Sequence, residues 1–213
     1  MNKQENINQH FKRNVIGITG AEVFWGLGLP LVLESTFLQL FLKNLGASSF
    51  VIGLIPSFFF IGISVFALYG DYATAYTPYK RRAVIAFHVM SGFALLVFGV
   101  ALFIFGKTDH ILVVFIVCYA IFSICLGMTV PVWQNYLTKI FSEEKTVSAL
   151  SFMMIGQNVA KLISSFFIVK LIDRYSFSIN SSAGVFVGVG ALFALGGLFF
   201  LLTREGKLGE EYA

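Results

Sequence analysis

Three ionisable side chains, Glu22, Glu34 and Lys161, stand inside long apolar stretches of this 213-residue chain. A charge at the centre of a bilayer costs at least about 2.5 kcal/mol on insertion scales, so ionisable groups kept there mark a solute pathway, a proton relay or a buried ion pair. Lys161 has polar company. Gln157 and Asn158 precede it by four and three residues, and Ser164 and Ser165 follow it by three and four. Those spacings predict one polar helix face. Such a face can hydrogen-bond a solute or pass a proton in a water-filled cavity, or it can neutralise Lys161 against a glutamate in a packed network. Counting about 1.5 Å per residue from the inner ends of the helices brings Glu34 within reach of Lys161 and predicts their pairing. Glu22 then lies at a different depth, falls to Gln134 or Asn135, and is the better candidate for carrying a proton. His88 reads as a hydrogen-bonded core residue rather than a relay.

Other chemistry is missing from the pattern. No nucleophile beside a base, no phosphate-cradling glycine loop and no metal-ligand spacing can be read, so neither an enzyme nor a cofactor is expected. Cys118 and Cys125 lie seven residues apart in one apolar run, too far to bridge within a helix.

The elements that must position these residues follow from composition. Hydrophobic residues make up 57% of the chain and charged residues 12%, with a mean hydropathy of +0.83. A water-soluble domain carries about 25% charged residues, so a soluble enzyme and a disordered chain are both excluded. The net charge of +4 fits basic loops at a membrane surface, not nucleic-acid binding. Six apolar segments, at 15–42, 49–69, 83–105, 111–137, 147–172 and 183–203, are each long enough to span about 30 Å of hydrocarbon. None alternates as a barrel strand would, which leaves helices. The expected class is an all-α integral membrane protein. Residues 1–14 are expected to form a cytoplasmic tail, 15–203 a six-helix transmembrane bundle, and 204–213 a cytoplasmic tail or the start of a central loop. With the N-terminus inside, ten Lys and Arg residues fall on inner segments and four on outer ones, so the positive-inside rule places both termini in the cytoplasm.

The first three helices echo in the second three. Pro30 matches Pro131, Asp71 matches Asp173, and Phe93-Ala94-Leu95 matches Phe193-Ala194-Leu195, at offsets of 101, 102 and 100 residues. A unit of three helices returns upside down, so the pattern predicts two inverted three-helix repeats, an arrangement typical of secondary transporters. Pro30 and Pro131 are placed to kink their helices. Gly184 and Gly188, followed by Gly190 and Ala194, predict a closely packed face on the sixth helix.

Six helices in two inverted triplets, with a basic loop between the second and third, resemble the N-terminal half of a major facilitator superfamily transporter. Leu45-Gly46-Ala47-Ser48-Ser49 followed by Ile52-Gly53-Leu54 is similar to the family's entry into its second helix. The run from Gly70-Asp71 to Lys80-Arg81-Arg82 resembles its conformational signature, although the basic triplet follows the Asp at a longer interval and Ala67 stands where the family has Gly. The antiporter signature of the fifth helix and the arginine signature of the fourth are absent.

The resemblance implies alternating access on a small solute, coupled to a proton or to sodium; a single hydrophobic chain with minimal loops fits a bacterial cytoplasmic membrane. It implies a cavity lined by the first and fourth helices. Trp25 and Trp133 would then be aromatic walls beside Gln134 and Asn135, and interfacial anchoring or core packing is the alternative for both tryptophans. It also implies a second six-helix half, either another copy of the chain or a separately encoded C-terminal half. A truncated or non-transporting membrane subunit that scaffolds a partner is the alternative function.

Overall fold

The computed structural model describes residues 9–33, 36–77, 79–175 and 178–205; for Asp71 and residues 171–175 it describes the backbone alone. Among the described residues seven helices follow in order: α1 (Phe11–Val32), α2 (Thr36–Asn44), α3 (Ser49–Thr74), α4 (Lys80–Phe105), α5 (Ile111–Ile140), α6 (Glu143–Tyr175) and α7 (Ile179–Leu198). A 3-10 turn over Phe199–Leu202 extends α7. There is no strand among the described residues. All the helices except α2 are long and apolar enough to cross a membrane.

The first apolar run, expected as one span, is divided into α1 and α2. Gly26 and Gly28 weaken the end of α1 and Pro30 removes a backbone donor there, and the helix ends at Val32. Pro56 and Pro131 lie inside α3 and α5 without ending them. Gly46 closes α2 at φ 92°, its N–H donating to the Lys43 carbonyl and that of Ala47 to the Leu42 carbonyl. Ser48 then caps α3 by accepting from the Val51 N–H at 3.3 Å. Gly106, at φ 61°, ends α4. Ser178 caps α7 by accepting from the Ser181 N–H at 3.1 Å.

Three pairings organise the bundle. α1 and α6 run parallel: Glu22 meets Gln157 and the Leu27 carbonyl meets Ser164, so numbering rises together along both. α3 and α5 are also parallel, with Gly62 against Ser123 and Gly70 against Met128. α4 and α7 are antiparallel and share a glycine seam. A Cβ on Gly92 would stand 2.6 Å from the Ala194 nitrogen, and one on Gly190 2.6 Å from the Leu96 nitrogen. Likewise Gly99 faces the Val187 nitrogen at 2.7 Å, while Gly197 faces the Val89 nitrogen at 3.4 Å. Each contact becomes its counterpart on exchanging α4 with α7 at an offset of 98 residues.

This seam corrects two expectations. Phe93 and Phe193, matched at an offset of 100, occupy unlike places: Phe93 is 61% exposed and Phe193 fully buried. Gly184 and Gly188 do not make the close approach. Among the described residues the nearest atom to a Cβ at Gly184 would be Phe103 at 3.9 Å, and Gly188 has nothing within 4 Å. Gly190 and Ala194, expected on the same face, do meet backbone, and Gly197 joins them one face away from Gly184 and Gly188.

Two apolar cores fill the bundle. One is a phenylalanine cluster in which Phe41 lies 4.9 Å from Phe186 and 6.0 Å from Phe98, both of them buried. The other gathers Ile18, Val84, Val132, Tyr136, Ile140 and Phe200 towards the opposite end. α3 and α6 stay on the outside. Only 11% and 17% of their spans are buried, against 44% for each of the other four.

Candidate functional site

The seam between α1 and α6 brings the polar residues together. A Cβ on Gly26 would stand 2.6 Å from the Gln157 carbonyl oxygen and 3.0 Å from the Ala160 methyl, so only glycine lets the helices approach this closely. Glu22 lies one turn before Gly26 and shares its face. Its carboxylate accepts a hydrogen bond from Gln157 Nε2 at 2.5 Å. Lys161, one turn beyond Gln157, attracts the same carboxylate by its charge. Ser164 closes the row, donating to the Leu27 carbonyl at 2.6 Å.

The partner of Glu22 is therefore Gln157, not Gln134 or Asn135. Depths counted from helix ends mislead here because the ends are not level. Gln157 is fourteen residues into α6, yet it touches Glu22, eleven residues into α1. Glu34, expected to pair with Lys161, lies outside the described residues. The polar stripe of α6 also splits. Gln157, Lys161 and Ser164 are spaced i, i+4 and i+7 and turn towards α1, while Asn158 and Ser165 stand on the adjoining exposed flank. Successive residues are about 100° apart on a helix, which is why five positions at three- and four-residue spacings spread over two faces.

The tryptophans have different surroundings. Trp25 is buried, stacked on Phe193 at 4.2 Å and edge-on to His88 at 4.9 Å. It packs α1 against α4 and α7, and its Nε1 has no hydrogen-bond partner among the described residues. His88 is a core residue, its Nδ1 2.7 Å from the Val84 carbonyl and its ring 4.9 Å from Phe200. Trp133 is half-buried on α5, and its neighbours Gln134 and Asn135 are exposed.

The basic loop joins a polar network at one end of the bundle. Lys80, 5% exposed, donates its Nζ to the Thr74 carbonyl at the end of α3, where a cation complements the helix dipole. Glu205 accepts from the backbone N–H groups of Lys80 and Arg81, each at 2.8 Å, and so caps the start of α4. Arg81 donates to the Thr203 carbonyl at 2.8 Å, and Arg82 is exposed. The side chain of Asp71 lies outside the described residues. Asn14, 1% exposed, donates to the Ile140 carbonyl at 3.0 Å and the Arg204 carbonyl at 3.2 Å, and accepts from the Arg204 N–H at 2.7 Å. Tyr136 and Thr203 join their hydroxyls beside it. Neither Asn14 nor Glu205 stands out in the sequence by residue type or spacing. The one available signal was an acid just past the last apolar run, on the same side as the Lys80–Arg82 triplet.

Among the described residues no three His, Cys, Asp or Glu side chains gather as a metal would require. The α1–α6 seam offers instead a carboxylate, a carboxamide and an ammonium at membrane depth, beside an exposed polar flank. These groups can bind a polar solute and hold or release a proton.

The profile of the Major Facilitator Superfamily matches residues 24–211. No curated protein and no solved structure matches the chain. The match spans most of the sequence, from within α1 through the five later membrane-length helices, so this all-α chain belongs to the Major Facilitator Superfamily of membrane transporters, with the six helices of one transporter half.

Proposed function

We propose that the chain is one half of a secondary active transporter that moves a small polar solute by alternating access, coupled to protons through Glu22. The observation that carries the proposal is the Glu22–Gln157 hydrogen bond with Lys161 one turn away, a charged group of residues at a depth where charge is expensive. In this reading Gln157 and Lys161 hold the Glu22 carboxylate. Asn158, Trp133, Gln134 and Asn135 meet the solute from the exposed flanks of α6 and α5, and Trp25 holds α1 in place. Asp71, Lys80, Arg81 and Arg82 govern the rocking of the half. Both termini face the cytoplasm, as the ten-to-four Lys and Arg count favours.

The largely uncovered α3 and α6 support a second six-helix half, either another copy or a separate C-terminal half. Two inverted repeats are supported by the glycine seam and by Gly26 and Gly127. These two residues are 101 apart, as Pro30 and Pro131 are, and each marks the close approach of a parallel helix pair.

The test is reconstitution into proteoliposomes that contain a pH-sensitive dye, under an imposed pH gradient, with sugars, amino acids, organic acids and organic cations offered in turn. One class should drive proton movement, and Glu22→Gln should abolish that movement while the protein stays folded. Proton-coupled uptake unchanged in Glu22→Gln would refute the role of Glu22. Transport by a chain shown to be monomeric in the vesicle would refute the second half.

A further inference from the structure

At the end of the bundle that carries the basic loop, a cavity of about 550 Å³ is lined by Arg13, Tyr79, Arg81, Arg82, Arg204 and Glu205. Four guanidinium groups face one carboxylate. That carboxylate is already engaged, since both Glu205 oxygens accept backbone N–H groups at the start of α4. Each guanidinium has five donors. Arg13 uses one on the Leu202 carbonyl and Arg81 one on the Thr203 carbonyl. Arg82 and Arg204 are exposed and have no side-chain partner among the described residues. The cavity therefore holds an excess of positive charge and spare donors in the geometry that suits phosphate.

A second feature adjoins it. Phe24, Leu195, Leu198, Phe199 and Leu202 line an apolar groove of about 250 Å³ between α1 and α7. Leu202 links the two: its carbonyl accepts from Arg13, which lines the cavity, and Leu202 itself lines the groove. From Leu202 to Leu195 the groove descends seven residues, roughly 10 Å at helical rise. An arginine cavity joined through the Arg13–Leu202 hydrogen bond to an apolar slot about 10 Å deep fits the headgroup and upper acyl chain of an anionic phospholipid.

We propose that this chain binds an anionic phospholipid, with the headgroup phosphate on Arg13, Arg81, Arg82 and Arg204 and an acyl chain along the Leu195–Leu202 groove. The proposal uses the orientation given above, which turns the cavity to the leaflet richer in anionic lipid, and it is independent of the transport chemistry at Glu22.

The experiment is native mass spectrometry of the purified chain in micelles that contain equal amounts of phosphatidylglycerol and phosphatidylcholine with the same acyl chains. Phosphatidylglycerol should dominate the bound lipid. Arg82→Gln with Arg204→Gln should lower the ratio of bound phosphatidylglycerol to phosphatidylcholine by about 25-fold, roughly fivefold for each cation near an anionic headgroup. Lys12→Gln, an exposed cation at the same end outside the cavity, should leave the ratio unchanged. Leu198→Ser should reduce retention of both lipids without changing their ratio. An unaltered ratio in the double arginine variant, or an equal fall in Lys12→Gln, would overturn the site. Displacement of the lipid by an equal concentration of inorganic phosphate would overturn the lipid assignment in favour of a free-anion site.

Discussion

Replacing Gly92 by alanine isolates the α4–α7 seam. A Cβ there would lie 2.6 Å from both the Ala194 nitrogen and the Gly190 carbonyl oxygen, whereas ordinary contact begins at 3.4 Å. Both neighbours are helix backbone, so the helices must part by about 0.8 Å, because packed interiors give little way. A gap of that size forfeits about a third of each ~0.15 kcal/mol contact, and about 50 such contacts, the complement of one buried leucine, amount to ~2.5 kcal/mol. Alanine's better helix propensity returns up to ~1 kcal/mol, so Gly92→Ala should cost about 1.5 kcal/mol or somewhat more. Gly188 on the same helix pair has open space around its Cβ position, so Gly188→Ala keeps the propensity gain and pushes nothing aside. Equilibrium unfolding in mixed micelles with increasing dodecyl sulfate, followed by far-ultraviolet circular dichroism, reads both variants. Gly92→Ala combined with Gly190→Ala should cost less than the two separately, because helices already parted by one methyl admit the second. Stabilities of Gly92→Ala and Gly188→Ala that agree within about 0.5 kcal/mol, the usual additivity error, would refute the seam as a determinant of packing.

Asn14→Leu removes three hydrogen bonds that tie α1 to Ile140 and Arg204, and it should lower stability by about 3 kcal/mol in the same unfolding assay, as loss of partners for buried polar groups does. Gln157→Leu takes the donor from the Glu22 carboxylate, with an expected loss of about 1–3 kcal/mol; adding Glu22→Leu should recover much of it, and a double-mutant cycle with no coupling would dismiss the contact. Lys161→Met should destabilise the chain less when Glu22 is already glutamine than when it is glutamate, since the charge it answers is gone; equal effects on both backgrounds would separate the two residues. Tyr119→Phe deletes the 3.0 Å bond to the Val32 carbonyl at the end of α1 and should cost about 1 kcal/mol in the unfolding measurement.

The six spans were legible because lipid tolerates few alternatives to long apolar helices, and composition carries that constraint directly. The division of the first span was not, since Gly26, Gly28 and Pro30 are each tolerable in a membrane helix and only together mark its end. Polar residues on α6 announced themselves by type, but spacing alone did not say which of them turn to α1 and which to the outside. Glu22 found Gln157 and not a residue of α5 because helix pairing, which is absent from local pattern, sets the neighbour. The echo between α4 and α7 is not carried by Phe-Ala-Leu, because apolar side chains are interchangeable in lipid. The contacts instead relate Gly92 to Gly190 and Gly99 to Gly197, because small residues fix how near two backbones come. Asn14 and Arg204 are 190 residues apart, and no periodicity reaches that far.

The parallel pairing of α1 with α6 sets a timetable for biogenesis. Glu22 and Gln157 are 135 residues apart in the chain. At about 5–20 residues per second, a ribosome takes roughly 7–27 s to make the second after the first. Throughout that interval α1 is complete, but its carboxylate has neither the carboxamide donor nor the cation that will later hold it. The chain thus delivers to the insertion machinery a helix with a bare acid, and four further helices must emerge before its neighbour arrives. A helix in that position has to be kept at the lipid boundary by the insertase or sheltered beside it. Delay or loss of α6 would therefore be registered at the other end of the chain, where the Glu22 carboxylate would keep neither the donor nor the cation that holds it.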